Sequence, residues 1–173
     1  MTLTIDHTAA RRAMIDSQLR VSGVNDERVL AAFGAVARED HVPAAARGHA
    51  YIDRAIPLGD GRALPAPLVQ GMMLAEADLR SDDKVLVVSS GSGYLAALAG
   101  QLAGTVEQID AAQAATLHRG IGNFDVLMVE GAIEHMPEGL AAELVEGARV
   151  VTGLIQSGVT RLVAGRKLSG KVT

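Results

Sequence analysis

Apolar and polar positions change rhythm near Ser81. Before it the spacing is helical: Ile15 and Leu19 stand four apart in a polar segment, and Val29, Phe33 and Val36 fall at i, i+4 and i+7. Asn25 suits the N-cap of that second stretch, with Asp26 and Glu27 in its first turn. Two amphipathic helices are expected. Residues 40–67 hold Pro43, Pro57, Pro65 and Pro67 together with Gly48, Gly59 and Gly61, so regular structure there should be short and irregular. A third helix should follow, with Leu68, Met72, Ala75 and Leu79 on one face and its methionines filling core.

From Lys84 onward short apolar runs alternate with helical segments: Val85–Val88, Tyr94–Ala103, Val106–Ile109, Ala111–His118 and Val126–Val129. Pro137–Glu146, Val150–Leu154 and Arg161–Ala164 continue the series. Such alternation marks βαβ units, hence an α/β fold with a mostly parallel sheet and helices on both faces. Ligands bind these sheets beyond the carboxyl ends of the strands.

Composition narrows the chemistry. At 173 residues the chain has room for one domain with an appendage and not for two full ones. Hydrophobic residues at 49% supply a core, but only Phe33, Tyr51, Tyr94 and Phe124 are aromatic, which disfavours a base-stacking platform. Cysteine is absent, so disulfides, thiolate metal sites and a thiol nucleophile are out. His7, His41, His49, His118 and His135 show no H-x-H or H-E-x-x-H spacing, and no metal is expected. The net charge of −4 argues against a nucleic-acid partner. Residues 147–173 carry five basic side chains and no acidic one, leaving 11 basic against 20 acidic, a net −9, in the first 146; the basic end reads as solvated. The start lacks a charged n-region ahead of an apolar run, and no apolar stretch approaches ~18 residues, so a cytoplasmic protein without a membrane partner is expected.

The most informative segment is Val85-Leu86-Val87-Val88-Ser89-Ser90-Gly91-Ser92-Gly93-Tyr94-Leu95-Ala96, a buried-strand run entering a turn of small residues that opens a helix. Gly91 and Gly93 permit close backbone approach to a ligand, and free N–H groups there can meet a polar cofactor group. Nineteen residues after Gly91, at the end of the next strand, stands Asp110, where nucleotide-binding α/β folds place the carboxylate that accepts from ribose hydroxyls. Gly91, Gly93 and Ala96 also satisfy G-x-G-x-x-G/A, so a dinucleotide cofactor stays open beside S-adenosylmethionine. Alternatively the glycines merely make a tight turn and Asp110 caps the following helix.

Several segments in order resemble the protein-L-isoaspartate O-methyltransferase family. They are Arg12–Arg20 with Val21–Val36; Ala37-Arg38-Glu39-Asp40-His41-Val42-Pro43; Ala50-Tyr51-Ile52-Asp53; and Ile56-Pro57-Leu58-Gly59-Asp60-Gly61. The glycine turn, Phe124-Asp125-Val126 through Pro137, and Gly147-Ala148-Arg149-Val150-Val151 continue the order. The resemblance implies a Rossmann-like class I methyltransferase sheet with an N-terminal helical cap. Residues 1–80 would form the cap and substrate-side segment, and 81–173 the S-adenosylmethionine-binding core of one compact unit. It implies a donor held by Ser89, Gly91, Ser92, Gly93, Tyr94 and Asp110, and isoaspartyl-containing peptides or proteins as substrate. Methylating a carboxylate needs no proton removal, so a missing catalytic base is no objection; the site must align the two groups and exclude water.

Three departures from the family pattern stand out. Where it places a Gln-Thr-Ile-Ser-like segment whose hydroxyls contact substrate, this chain has Arg62, Ala63, Leu64 and Pro65, leaving Arg62 as a candidate for pairing with the substrate carboxylate. Val87 stands in place of an acidic residue that helps hold the donor, and Ser89 in place of a glycine. Only thirteen residues, Ala111 to Asn123, separate Asp110 from the Phe124 strand, so the sheet should lack one strand and the adenine one wall. Weak donor binding and impaired activity are the expectation, and a non-catalytic relative serving as a scaffold or binding module is the alternative. Glu39 and Asp40, beside Arg38, read as exposed ion pairs.

Overall fold

The computed structural model of the chain describes residues 5–117 and 122–173. Helix α1 (His7–Met14) starts on Asp6, whose carboxylate accepts from Ala9 N at 3.0 Å, and runs on through a wide π-type turn, Ile15–Leu19. It ends in a tight turn at Gly23, whose φ of +93° suits glycine. Helix α2 (Glu27–Ala35) is capped by Asp26 rather than by Asn25. Asp26 accepts from Arg28 N at 2.8 Å and also pairs with the Arg28 guanidinium at 2.8 Å, two contacts that hold its carboxylate over the first turn. Val29 and Phe33 are buried as the spacing predicts, joined by Leu30 and Ala32.

After a proline-broken stretch and a short hairpin of β1 (Ile56–Gly59) and β2 (Arg62–Leu64), the chain enters α3 (Pro67–Ala77). Its inward face is not the expected one: Gln70, Gly71, Met73, Leu74 and Ala77 are buried, whereas Met72 and Ala75 are exposed and Leu68 only half-buried; Leu79 is buried as expected but lies beyond the helix end. The helix is apolar nearly all round, so periodicity cannot select a face; what turns it is the bonding of Gln70 described below. Gly71 permits close packing here, since a Cβ on it would lie 3.1 Å from Leu19 Cδ2.

The main sheet has the order β4-β3-β5-β6-β7-β8. Strands β3 (Lys84–Ser89), β4 (Thr105–Asp110), β5 (Phe124–Ile133) and β6 (Leu144–Gln156) are parallel. β7 (Val159–Leu168) returns antiparallel to β6, and β8 (Lys171–Val172) lies antiparallel to β7. Helices α4 (Tyr94–Ala99), α5 (Ala111–Ala115) and α6 (Glu138–Ala142) fill the connections. Successive side chains of a strand point to opposite faces. Accordingly Val85, Val87, Met128 and Val151 join the core beneath the N-terminal helices, and Leu86, Val88, Leu127, Val129 and Val150 join a second core with Leu140 and Ala114 from α6 and α5. The first core runs without a break from Met14 and Phe33 through Met73 to Val85 and Tyr94, so cap and sheet share one interior.

Two expectations about the sheet meet different outcomes. Among the described residues no strand lies outside β4, in keeping with a sheet one strand short; His118 falls outside the described residues. The basic stretch forms the β6–β8 ribbon, and its solvated reading holds for the exposed Arg161, Arg166 and Lys171 but not for Arg149 and Lys167. Arg149 is paired with Asp83, and Lys167 Nζ donates to Ala141 O at 2.9 Å and Leu144 O at 2.7 Å. These two cations satisfy two carbonyls and a buried acid.

Candidate functional site

The site is built where β3 ends. Val85 to Val88 are buried, and at Ser89 the chain leaves the sheet through a turn in which Gly91 takes φ +109° and Gly93 φ +72°. Side chains of the turn brace it: Ser89 Oγ accepts from Gly91 N at 3.0 Å and Ser92 Oγ from Tyr94 N at 3.1 Å. The N–H groups of Ser92 and Gly93 are left without an internal partner among the described residues. The half-buried Ser92 and Gly93 therefore carry two backbone donors with no partner among the described residues, whereas the N–H of the exposed Gly91 is spent on Ser89.

Asp110 lies beside this turn, since β3 and β4 pair in register and set Ser89 opposite Asp110. Gln108, two residues earlier and so on the same side of β4, reaches across to Gly93. Asp110 also does what the simpler reading expected of it. Oδ1 accepts from Gln113 N at 2.7 Å, while Gln113 Oε1 accepts from Asp110 N at 2.9 Å, a capping box that starts α5. Oδ2 carries no bond among the described residues and the residue is exposed, so one oxygen serves the helix and the other faces outward.

Tyr94 and Arg62 sit differently from each other. The Tyr94 ring is fully buried beneath the cap, edge-on to Phe33 at 6.1 Å and with the Arg38 guanidinium over its face at 4.9 Å. Burial pushes its phenol well above the usual range, and the residue serves the turn only through its backbone. Arg62 leans over the turn instead: a Cβ on Gly91 would lie 2.6 Å from Arg62 Nη1. The guanidinium is about half exposed, with Asp60 at 3.5 Å as its ion-pair partner, so this flexible side chain covers the turn without sealing it.

Four residues that the sequence reading did not place in the site complete the surroundings: His41, Arg38, Gln70 and Glu130. His41 Nδ1 lies 2.9 Å from Ser92 O, and because a carbonyl only accepts, that nitrogen carries the proton. Arg38 is completely buried and donates from Nε to Ala50 O at 2.7 Å, from Nη2 to Pro65 O at 2.6 Å and from Nη1 to Gln70 Oε1 at 2.5 Å. Gln70 Nε2 donates in turn to Glu130 Oε1 at 2.5 Å. Glu130 is 5% exposed at the tip of the buried run Val126–Val129. A carboxylate directly following such a run was the available signal, since a buried acid must find donors.

Glu39 is no exposed ion pair either. Its carboxylate accepts from Arg11 Nη2 at 3.0 Å and from the Tyr51 hydroxyl, and its side chain is 13% exposed. Burial alone would raise its pKa, but these bonds outweigh it and hold the carboxyl below the ordinary range. Arg11 reaches it from α1, a partner 28 residues away that local charge spacing cannot reveal.

A parallel sheet whose first strand opens through glycines beside a carboxylate on the neighbouring strand tip, roofed by an N-terminal helical segment, is a Rossmann-like methyltransferase fold. The sequence profile described as Protein-L-isoaspartate(D-aspartate) O-methyltransferase (PCMT) matches residues 9–117, and the chain belongs to that family. It is 35% identical to a protein-L-isoaspartate O-methyltransferase of Koribacter versatilis, over 94% of this chain and 84% of that protein. It is 37% identical to protein-L-isoaspartate O-methyltransferase 2 of Anaeromyxobacter sp., over 82% of this chain and 68% of the relative. The fold matches the crystal structure of a protein of this name from Plasmodium falciparum, in complex with S-adenosyl-L-homocysteine, with a TM-score of 0.74 and 16% identity. That match covers 98% of this chain and 93% of the other.

Proposed function

We propose that the chain is an S-adenosylmethionine-dependent protein carboxyl methyltransferase that acts on isoaspartyl residues of proteins in the cytoplasm. The observation that carries this reading is the pairing of the Ser89–Tyr94 turn with Asp110 at adjacent strand tips, in a chain of this family. The donor set suits the cofactor. The unpartnered N–H groups of Ser92 and Gly93 match its methionyl carboxylate, and the outward oxygen of Asp110 matches ribose hydroxyls. When bound, S-adenosylmethionine supplies a sulfonium methyl for transfer to a carboxylate oxygen.

The protein's part is orientation and exclusion of water. Arg62, poised over Gly91, is the cation available to draw in and align the substrate carboxylate, exchanging its exposed pairing with Asp60 for that partner. Ala63, Pro65 and Val87 thin the site relative to the family pattern without filling it, and a transfer that needs no base tolerates such losses. With no strand beyond β4 among the described residues, the adenine side lacks a wall, and donor affinity is expected to be modest.

The test is transfer of a labelled methyl group to an isoaspartyl peptide, with the ordinary aspartyl peptide as control. Base-labile methyl ester on the isoaspartyl peptide alone is expected. Binding of S-adenosylhomocysteine with no ester at micromolar protein would make the chain a donor-binding scaffold instead.

A further inference from the structure

Sequence comparison leaves the donor turn without an acid, because Val87 is a fully buried apolar residue. The structure supplies one from the next strand. Val129 of β5 pairs with Val88 of β3, so Glu130 emerges alongside Ser89 and Ser90. Glu130 Oε2 accepts from Ser90 N at 2.9 Å and from Ser90 Oγ at 2.6 Å, while Oε1 accepts from Gln70. Resting on the proposed function, we propose that Glu130 is the positioning residue of the donor turn, replacing from β5 the acid that Val87 does not provide, and that through Gln70 and Arg38 it couples donor binding to the seating of the N-terminal cap.

The hydrogen-bond polarity requires a carboxylate at this position. Arg38 can only donate, so Gln70 must turn its carbonyl toward Arg38 and its amide toward position 130. Ser90 N–H also can only donate, from the opposite side. Position 130 must therefore accept at both ends, which a carboxylate does and an amide cannot. Glutamine there sets one NH2 group against a donor, either at Gln70 or at Ser90.

The far end of the chain is equally fixed. Arg38 binds Ala50 O in the cap and Pro65 O, one residue beyond the strand that carries Arg62. The turn, the Arg62 strand and the cap thus hang on one string of bonds running from a buried cation to a buried carboxylate. A ligand that fixes the turn must stiffen the cap, and a seated cap must favour the ligand by the same factor.

The experiment uses the full chain, with calorimetric titration of S-adenosylhomocysteine, steady-state kinetics and amide hydrogen exchange over residues 37–52. Glu130→Gln should weaken binding about tenfold, the size of one lost charge-assisted bond, and raise KM for the donor with kcat within about twofold. In the wild type, ligand should slow exchange in the cap segment; in Glu130→Gln that ligand-dependent slowing should vanish. Ser90→Ala, which alters only a half-buried hydroxyl, should weaken binding about threefold and serves if Glu130→Gln does not fold.

Unchanged affinity in folded Glu130→Gln, or in Ser90→Ala where that variant stands in, overturns the proposal. So does reduced affinity with ligand-dependent protection of the cap intact. A wild type that binds no S-adenosylhomocysteine removes the proposed function along with this inference, whereas a failure confined to the variants leaves the function standing.

Discussion

Asp110 is the residue at which a structural role and the proposed ligand role can be separated, because Oδ1 caps α5 while Oδ2 carries no bond among the described residues. Asp110→Asn keeps an acceptor for Gln113 N, and Asn caps helices about as well as Asp, so stability should move by less than ~0.5 kcal/mol, or about 2 °C in Tm. Asp110→Ala removes the cap, worth ~1 kcal/mol in general and toward the low end here because α5 is a five-residue helix at the sheet edge, so Tm should fall by about 2–4 °C. Donor binding should respond on another scale. A hydrogen bond to a charged acceptor contributes ~1.5–3 kcal/mol against ~1 kcal/mol for a neutral one, so Asp110→Asn should lose about fivefold in S-adenosylhomocysteine affinity, and Asp110→Ala about 10- to 100-fold. Calorimetric titration beside ligand-free melting curves measures both. If Asp110→Asn binds as well as the wild type and Asp110→Ala loses only stability, Asp110 is a helix cap and the donor site loses its acceptor.

Arg38→Met leaves Ala50 O, Pro65 O and Gln70 Oε1 buried without a donor and Glu130 without its cation, and should cost ~3–5 kcal/mol in urea unfolding; a loss below ~1 kcal/mol would show the network to be dispensable. Glu39 has a folded-state pKa below its unfolded value, so its stabilising contribution is fully present above pH ~4.3 and is lost as pH falls through the folded pKa. The stability gap between wild type and Glu39→Gln should accordingly be wide at pH 6 and shrink toward pH 3, and a gap that does not change with pH would contradict the assignment. Arg62→Ala should leave Tm within about 1 °C, its pairing with Asp60 being exposed, while raising KM for an isoaspartyl peptide about tenfold; an unchanged KM would remove Arg62 from substrate binding.

What could be read from the chain follows from the range of the forces involved. The β3 turn was legible because an unbroken apolar run and two glycines act locally, and Asp110 because a parallel neighbour returns after a predictable interval. The α3 face was not, since its orientation is set by Gln70 bonding to residues 32 positions before it and 60 after it. Glu39 and Arg149 misled for one reason: a charged residue in sequence carries no mark of a distant partner, and Arg11 and Asp83 lie far along the chain from them. Asn25 and Asp26 are near-equal caps, and only the second has Arg28 to hold it. The Glu130 network is the extreme case, four residues from four separate segments whose polarity makes sense only when assembled.

Among the described residues nothing pairs with the outer flank of β4, and this has a consequence for self-association. An outer parallel strand offers its backbone to any other extended chain, including the same strand of another copy. Here β4 exposes Thr105, Glu107, Gln108 and Asp110, and polar and charged side chains on an edge strand blunt such pairing. Apolar β-branched residues substituted at these positions should therefore promote the self-association that a further strand outside β4 would block.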